Sequence, residues 1–68
     1  MSLYKVIQVV GTSEVSWEDA AKNAINTARQ SINDLRIGEV TRMDVKIEDG
    51  KMIFRTKIDL SFRYTAGD

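Results

Sequence analysis

Four charged residues, Arg42, Asp44, Arg55 and Lys57, are spaced so that they share one face if the segments carrying them pair as a hairpin. Such a group is either a solvated ion-pair network of little energetic weight or the lining of a cavity or subunit seam, in which Arg42 would meet a ligand. Glu39 is a carboxylate beside apolar neighbours. It suits an ion pair, with Arg36 or Arg63 of a neighbouring copy, or a hard-cation site, for which Asp44 is the second candidate ligand. Trp17 is the only tryptophan. It can stack on a ligand, but as the first residue of an amphipathic helix it is expected to anchor that helix. Thr12 and Ser13 stand where a strand gives way to a helix, a place that can receive an anion; loop and cap chemistry accounts for them equally. Glu48-Asp49-Gly50 lacks the spaced oxygens of a calcium loop and reads as a turn.

The composition removes whole classes of chemistry. With no histidine and no cysteine, the chain has no Ser-His-Asp triad, no thiol nucleophile and no zinc or haem site of the usual ligand types. No nucleophile–base pair remains, so an enzyme is not expected. Ten basic and ten acidic residues cancel, which leaves no overall pull toward nucleic acid or membrane. No apolar run reaches the length of a membrane span and no signal peptide is visible, so a cytoplasmic protein is expected. The 68 residues form one domain that buries little surface on its own. With disulfides excluded, oligomerisation is the expected supplement.

The elements that position these residues follow from pattern. Leu3 to Val10 is rich in β-branched residues, ends at Gly11-Thr12-Ser13, and reads as a strand with cover on both faces for part of its length. Ser16 is a good N-cap, with Asp19 as its capping-box partner. Trp17, Ala21, Ala24, Ile25, Ala28, Ile32 and Leu35 then recur at helical spacing, which predicts a helix over 17–34. Its stripe of alanines calls for a partner that approaches closely, such as a curled sheet. From Arg36 the period becomes two, and Asp49-Gly50 signals a two-residue hairpin turn. That register sets Ile47 beside Met52, Val45 beside Phe54, Met43 beside Thr56, Glu39 next to Leu60 and Ile37 beside Phe62 on an apolar face. Asp44 falls beside Arg55 and Arg42 beside Lys57 on a polar one. The arms run well beyond the usual ~5–6 residues and overhang the helix, so the overhang must curl or meet another chain. Thr65 to Asp68 reads as a frayed tail.

The Leu3–Ser13 strand, the helix opening Ser16-Trp17-Glu18-Asp19-Ala20-Ala21, the Ile37-Gly38-Glu39-Val40 stretch and the long Asp49-Gly50 hairpin together resemble the dodecin family over nearly the whole chain. The resemblance implies an α+β protomer of β-α-β-β order. Its antiparallel three-stranded sheet would curl around one helix, and the protomers would assemble into a hollow homododecamer. It also implies binding and storage of flavins of the riboflavin/FMN class between subunits. The matching positions are altered. Ile37 stands where flavin-binding members carry a ring-stacking tryptophan, and Arg55 where they carry a glutamine that meets the ring edge. Isoleucine has no aromatic face, and arginine donates but cannot accept. A weakened flavin site is therefore expected. The alternative is a shell that binds calcium or another hard cation, or is purely structural. Ser-Trp-Glu after the Gly-Thr-Ser turn resembles a subgroup for which calcium binding has been proposed.

Overall fold

The computed structural model describes residues 3–64; the expected tail at Thr65 to Asp68 lies outside them. β1 (Leu3–Ser13), α1 (Trp17–Ala28), β2 (Leu35–Glu48) and β3 (Lys51–Tyr64) follow in the expected β-α-β-β order. They form one antiparallel three-stranded sheet in the order β1-β3-β2, with the helix on one face. β1 does not stop at Gly11 but continues through Ser13, opposite Phe54. It is an edge strand, and Leu3, Val6 and Val10 are exposed at 56%, 58% and 50%. Within one chain the expected cover on both its faces is therefore missing.

The helix starts as its residues dictate and ends sooner than its periodicity predicts. The Asp19 N–H donates to Ser16 Oγ at 2.9 Å, which caps the first turn. The Asp19 carboxylate does not complete a capping box. It accepts from Ser13 Oγ at 2.6 Å, and Ser13 Oγ in turn accepts from the Val15 N–H at 2.9 Å. The regular helix closes at Ala28, six residues before the expected end. Beyond it the Gln30 and Ser31 N–H groups bond the carbonyls three residues back, a tightening common at helix ends. Ser31, Asn33 and Asp34 are weak helix formers, and Asp34 takes φ 62°, a left-handed conformation that turns the chain into β2.

Asp49 and Gly50, at φ 51° and 75°, make the expected hairpin turn. The expected register holds from Glu48–Lys51 through Asp44–Arg55 to Arg42–Lys57. It then breaks twice, because extra residues at Thr41 and Arg36 bulge out of β2. Each bulge moves the following side chains to the other face and bends the strand. Ile37 consequently lies opposite Ser61 rather than Phe62, and Glu39 opposite Asp59 rather than beside Leu60. Glu39 is thus not on the apolar face. Gly38 takes the inward place, where a Cβ would lie 3.2 Å from Ile25 Cδ1.

The core is small. Ala20, Ile58 and Leu60 are fully buried and Thr56 nearly so. Ala20 had no place in the expected stripe, whose alanines are only half-buried. Thr56 Oγ1 donates to the Trp17 carbonyl at 2.8 Å, so its buried hydroxyl is satisfied. Trp17 anchors the helix, as expected. Its ring meets Phe54 edge-on at 5.1 Å, and its Nε1–H donates to the Asp44 carbonyl at 2.9 Å. Helix and sheet pack tightly at Gly11, where a Cβ would stand 2.1 Å from the Ala20 carbonyl oxygen. That contact is backbone against backbone and cannot be relieved by a rotamer change. Gly11→Ala is therefore expected to cost about 1–3 kcal/mol or more in denaturant unfolding. Gly38→Ala, whose tightest contact is the flexible tip of Ile25, with Ile58 and Leu60 at an ordinary 3.5 Å, is expected to cost clearly less.

Candidate functional site

The face of the sheet turned away from α1 carries the polar cluster. Alternation places Thr12, Val10, Gln8 and Val6 of β1, Arg55, Lys57, Asp59 and Ser61 of β3, and Asp44, Arg42, Glu39 and Ile37 of β2 on it in successive rows. Arg42, Asp44, Arg55 and Lys57 do come together, with Val10 as a fifth wall, around a hollow of about 90 Å³. Arg55 Nε and Nη2 donate to the two carboxylate oxygens of Asp44 at 2.6 and 2.8 Å. This fork-to-fork pair fixes both side chains in a plane. The hydrogen bonds from Arg55 hold the Asp44 carboxyl below the ordinary aspartate range against a desolvation effect of opposite sign; the charges of Arg55, Arg42 and Lys57 add to the lowering. The same pair raises the Arg55 guanidinium further above its usual value.

Ile37 and Glu39 lie elsewhere on that face. Ile37 stands opposite Ser61, six residues along β3 from Arg55 and so about 20 Å away at ~3.3 Å per residue. One chain does not bring Ile37 and Arg55 to a common ring, and any ligand touching both residue types must lie between copies. Glu39 faces Asp59 directly, and Gln8 Nε2 donates to Asp59 Oδ1 at 2.9 Å. Asp59 is the neighbour of Glu39 that strand alternation alone does not find; Gln8 lies on the far side of Asp59, on the opposite edge strand. The only sequence signal for the shift is Gly38, the residue small enough to turn inward in place of Glu39. Arg36, expected as a possible partner of Glu39, is bound instead to Asp34 at 2.7 Å. Among the described residues no three or more carboxylates gather where a metal could be held.

The remaining candidates are absorbed by the fold. Ser13 is spent on the turn into α1. The Asp19 carboxylate occupies the first turn of the helix, so the anion-receiving reading of Thr12 and Ser13 fails there. Around the hairpin tip Glu48 pairs with Lys46 at 3.1 Å and Glu14 with Lys51 at 3.8 Å. Glu48-Asp49-Gly50 is a turn, as expected.

The Asp44 interaction has a defined pH signature. A carboxyl whose folded pKa lies below its unfolded value stabilises the fold above the unfolded value, and that contribution fades as pH falls through the folded one. The melting temperature of the unmodified protein should therefore exceed that of Asp44→Asn by a constant margin at neutral pH. The margin should shrink once the pH drops below the ordinary aspartate range. Parallel melting curves of the two proteins across that range check this.

Comparison with known proteins fits this geometry. The calcium dodecin of Mycobacterium tuberculosis is 44% identical over 64 residues, which are 93% of this chain and 90% of that protein. A crystal structure of that calcium dodecin, described as a calcium-chelating immunodominant antigen with a novel calcium-binding site, superimposes with a TM-score of 0.86 and 40% identity, covering 98% of this chain and 97% of that one. Dodecin from Streptomyces coelicolor gives a TM-score of 0.89 at 34% identity, with 97% and 96% covered. The dodecin family model itself matches residues 3–65. From its first strand to the end of its last, this chain belongs to the dodecin family.

Proposed function

We propose that this protein is the subunit of a self-assembled, ligand-binding shell, and that its ligand is calcium rather than flavin. The observation that carries the reading is the direct cross-strand pair of carboxylates, Glu39 and Asp59. Like charges in that position oppose the pairing of their strands, and a hard cation would relieve the opposition. Calcium takes about 6–8 oxygen ligands, more than Glu39 and Asp59 supply. The site is therefore completed where copies meet. Asp44, the other candidate ligand, has both oxygens engaged by Arg55 and is a scaffold for the hairpin rather than a ligand. The likeness to a calcium dodecin supports the same choice.

Flavin binding has weaker support in these residues. Ile37 offers no aromatic face, and Arg55, whose Nε and Nη2 are engaged by Asp44, cannot accept a hydrogen bond as a glutamine would. Storage or buffering, not catalysis, is the role that follows for such a shell. No helix among the described residues is long and apolar enough to cross a membrane.

Calcium should raise the melting temperature and a chelator should lower it, by the linkage between binding and stability. Glu39→Gln should abolish the calcium shift, whereas Asp44→Asn should lower the melting temperature and keep the shift. Riboflavin in the same assay should move the transition less than calcium does. Identical melting curves in calcium and in chelator would remove the calcium reading.

A further inference from the structure

On the face away from α1, two cations stand directly across from one another: Lys57 of the central strand is opposite Arg42 on one side and Val10 on the other. Like charges in direct register weaken a strand pair, and among the described residues neither Arg42 nor Lys57 makes an ion pair. The carboxylate beside them, Asp44, is already taken up by Arg55. Val10, Arg42, Asp44, Arg55 and Lys57 line a hollow of about 90 Å³ that is open to solvent on one side. It has room for a compact anion. Three cations and one carboxylate surround it, so its local charge is positive although the chain as a whole is neutral. One row away Glu39 and Asp59 face each other and repel any anion that extends in their direction.

We propose that Arg42 and Lys57 together hold a single tetrahedral oxyanion, either free phosphate or the phosphate of a monoester, in this hollow. Arg42 supplies two parallel N–H donors to two of its oxygens, and Lys57 supplies a point charge from the other side. The Asp44–Arg55 pair forms the rigid floor: Asp44 keeps the Arg55 fork turned to itself, and Arg55 neutralises a carboxylate that would otherwise repel the anion. Val10 is the apolar wall. The assignment does not depend on calcium, whose proposed ligands are Glu39 and Asp59.

The test is a titration of the intact protein with inorganic phosphate, followed by phosphorus NMR and by melting temperature, at fixed ionic strength against chloride and with a chelator present. Phosphate should raise the melting temperature above that in chloride. Arg42→Gln and Lys57→Gln should each weaken phosphate binding at least ~10-fold, the loss of one charge-assisted contact. In chloride alone each substitution should move the melting temperature little, because the lost repulsion between the two cations is offset by the lost attraction of each for Asp44. A merely structural role for either residue would lower the melting temperature equally with and without phosphate. Ribose 5-phosphate in a parallel titration separates the sources: tighter binding than inorganic phosphate assigns a monoester, and weaker binding assigns the free ion. If either variant fails to assemble, the other variant and the direct titration of the unmodified protein decide. Phosphate behaving as chloride does, or unchanged affinity in both variants, would overturn the proposal.

Discussion

A helix of twelve residues lies on a sheet whose two long strands run for fourteen, and the rest of the molecule follows from that mismatch. At ~1.5 Å per residue the helix reaches about 18 Å, against a long axis of 49 Å for the chain. Only the middle of the central strand, around Thr56, Ile58 and Leu60, is fully covered. The rest of the hairpin leaves Met43, Ile47 and Met52 exposed at 57%, 69% and 53% on the side that faces the helix layer. So much apolar surface on so small a core calls for a second copy of the chain.

The few contacts that do hold the protomer are correspondingly specific. Gly11 lets the helix backbone rest on β1, and Trp17 ties the start of the helix to both long strands. It reaches β3 through Phe54 and Thr56, and β2 through the Asp44 carbonyl. Asp44 therefore has two duties. Its backbone receives the indole and its side chain grips Arg55 through two hydrogen bonds, which orders the polar face at that row. A binding surface gains from such a floor, because little ordering is left to be done when a ligand arrives.

Much of this was legible in the residues. Asp49-Gly50 fixed the hairpin and its register as far as Arg42–Lys57, which is why the Arg42, Asp44, Arg55 and Lys57 cluster could be assembled on paper. Ser16 and Trp17 marked the helix start for reasons of capping and burial that are local. What failed was not local. The bulges at Thr41 and Arg36 answer the need of a long strand to bend around a short helix, and nothing in the alternation of β2 announces them. Glu39 and Ile37 were misplaced for that reason, and with Glu39 went its true neighbour, Asp59. The end of the helix was overestimated because Ile32 and Leu35 keep the helical spacing. The left-handed Asp34 nevertheless turns the chain, and Leu35 instead opens β2 opposite Phe62.

The two ligands of the family place one requirement on this chain. Glu39 and Asp59 offer too few oxygens to complete a calcium shell, and Ile37 and Arg55 are too far apart to meet one flavin, so either ligand would need residues from a second copy. The most direct test of the account is the mass of the particle in solution, measured by light scattering while the chain is diluted through the micromolar range. A particle of about twelve chains, with a melting temperature that falls on dilution as dissociation joins unfolding, is the predicted result. A stably folded monomer at micromolar concentration would contradict it, since the half-covered sheet would then have to stand alone.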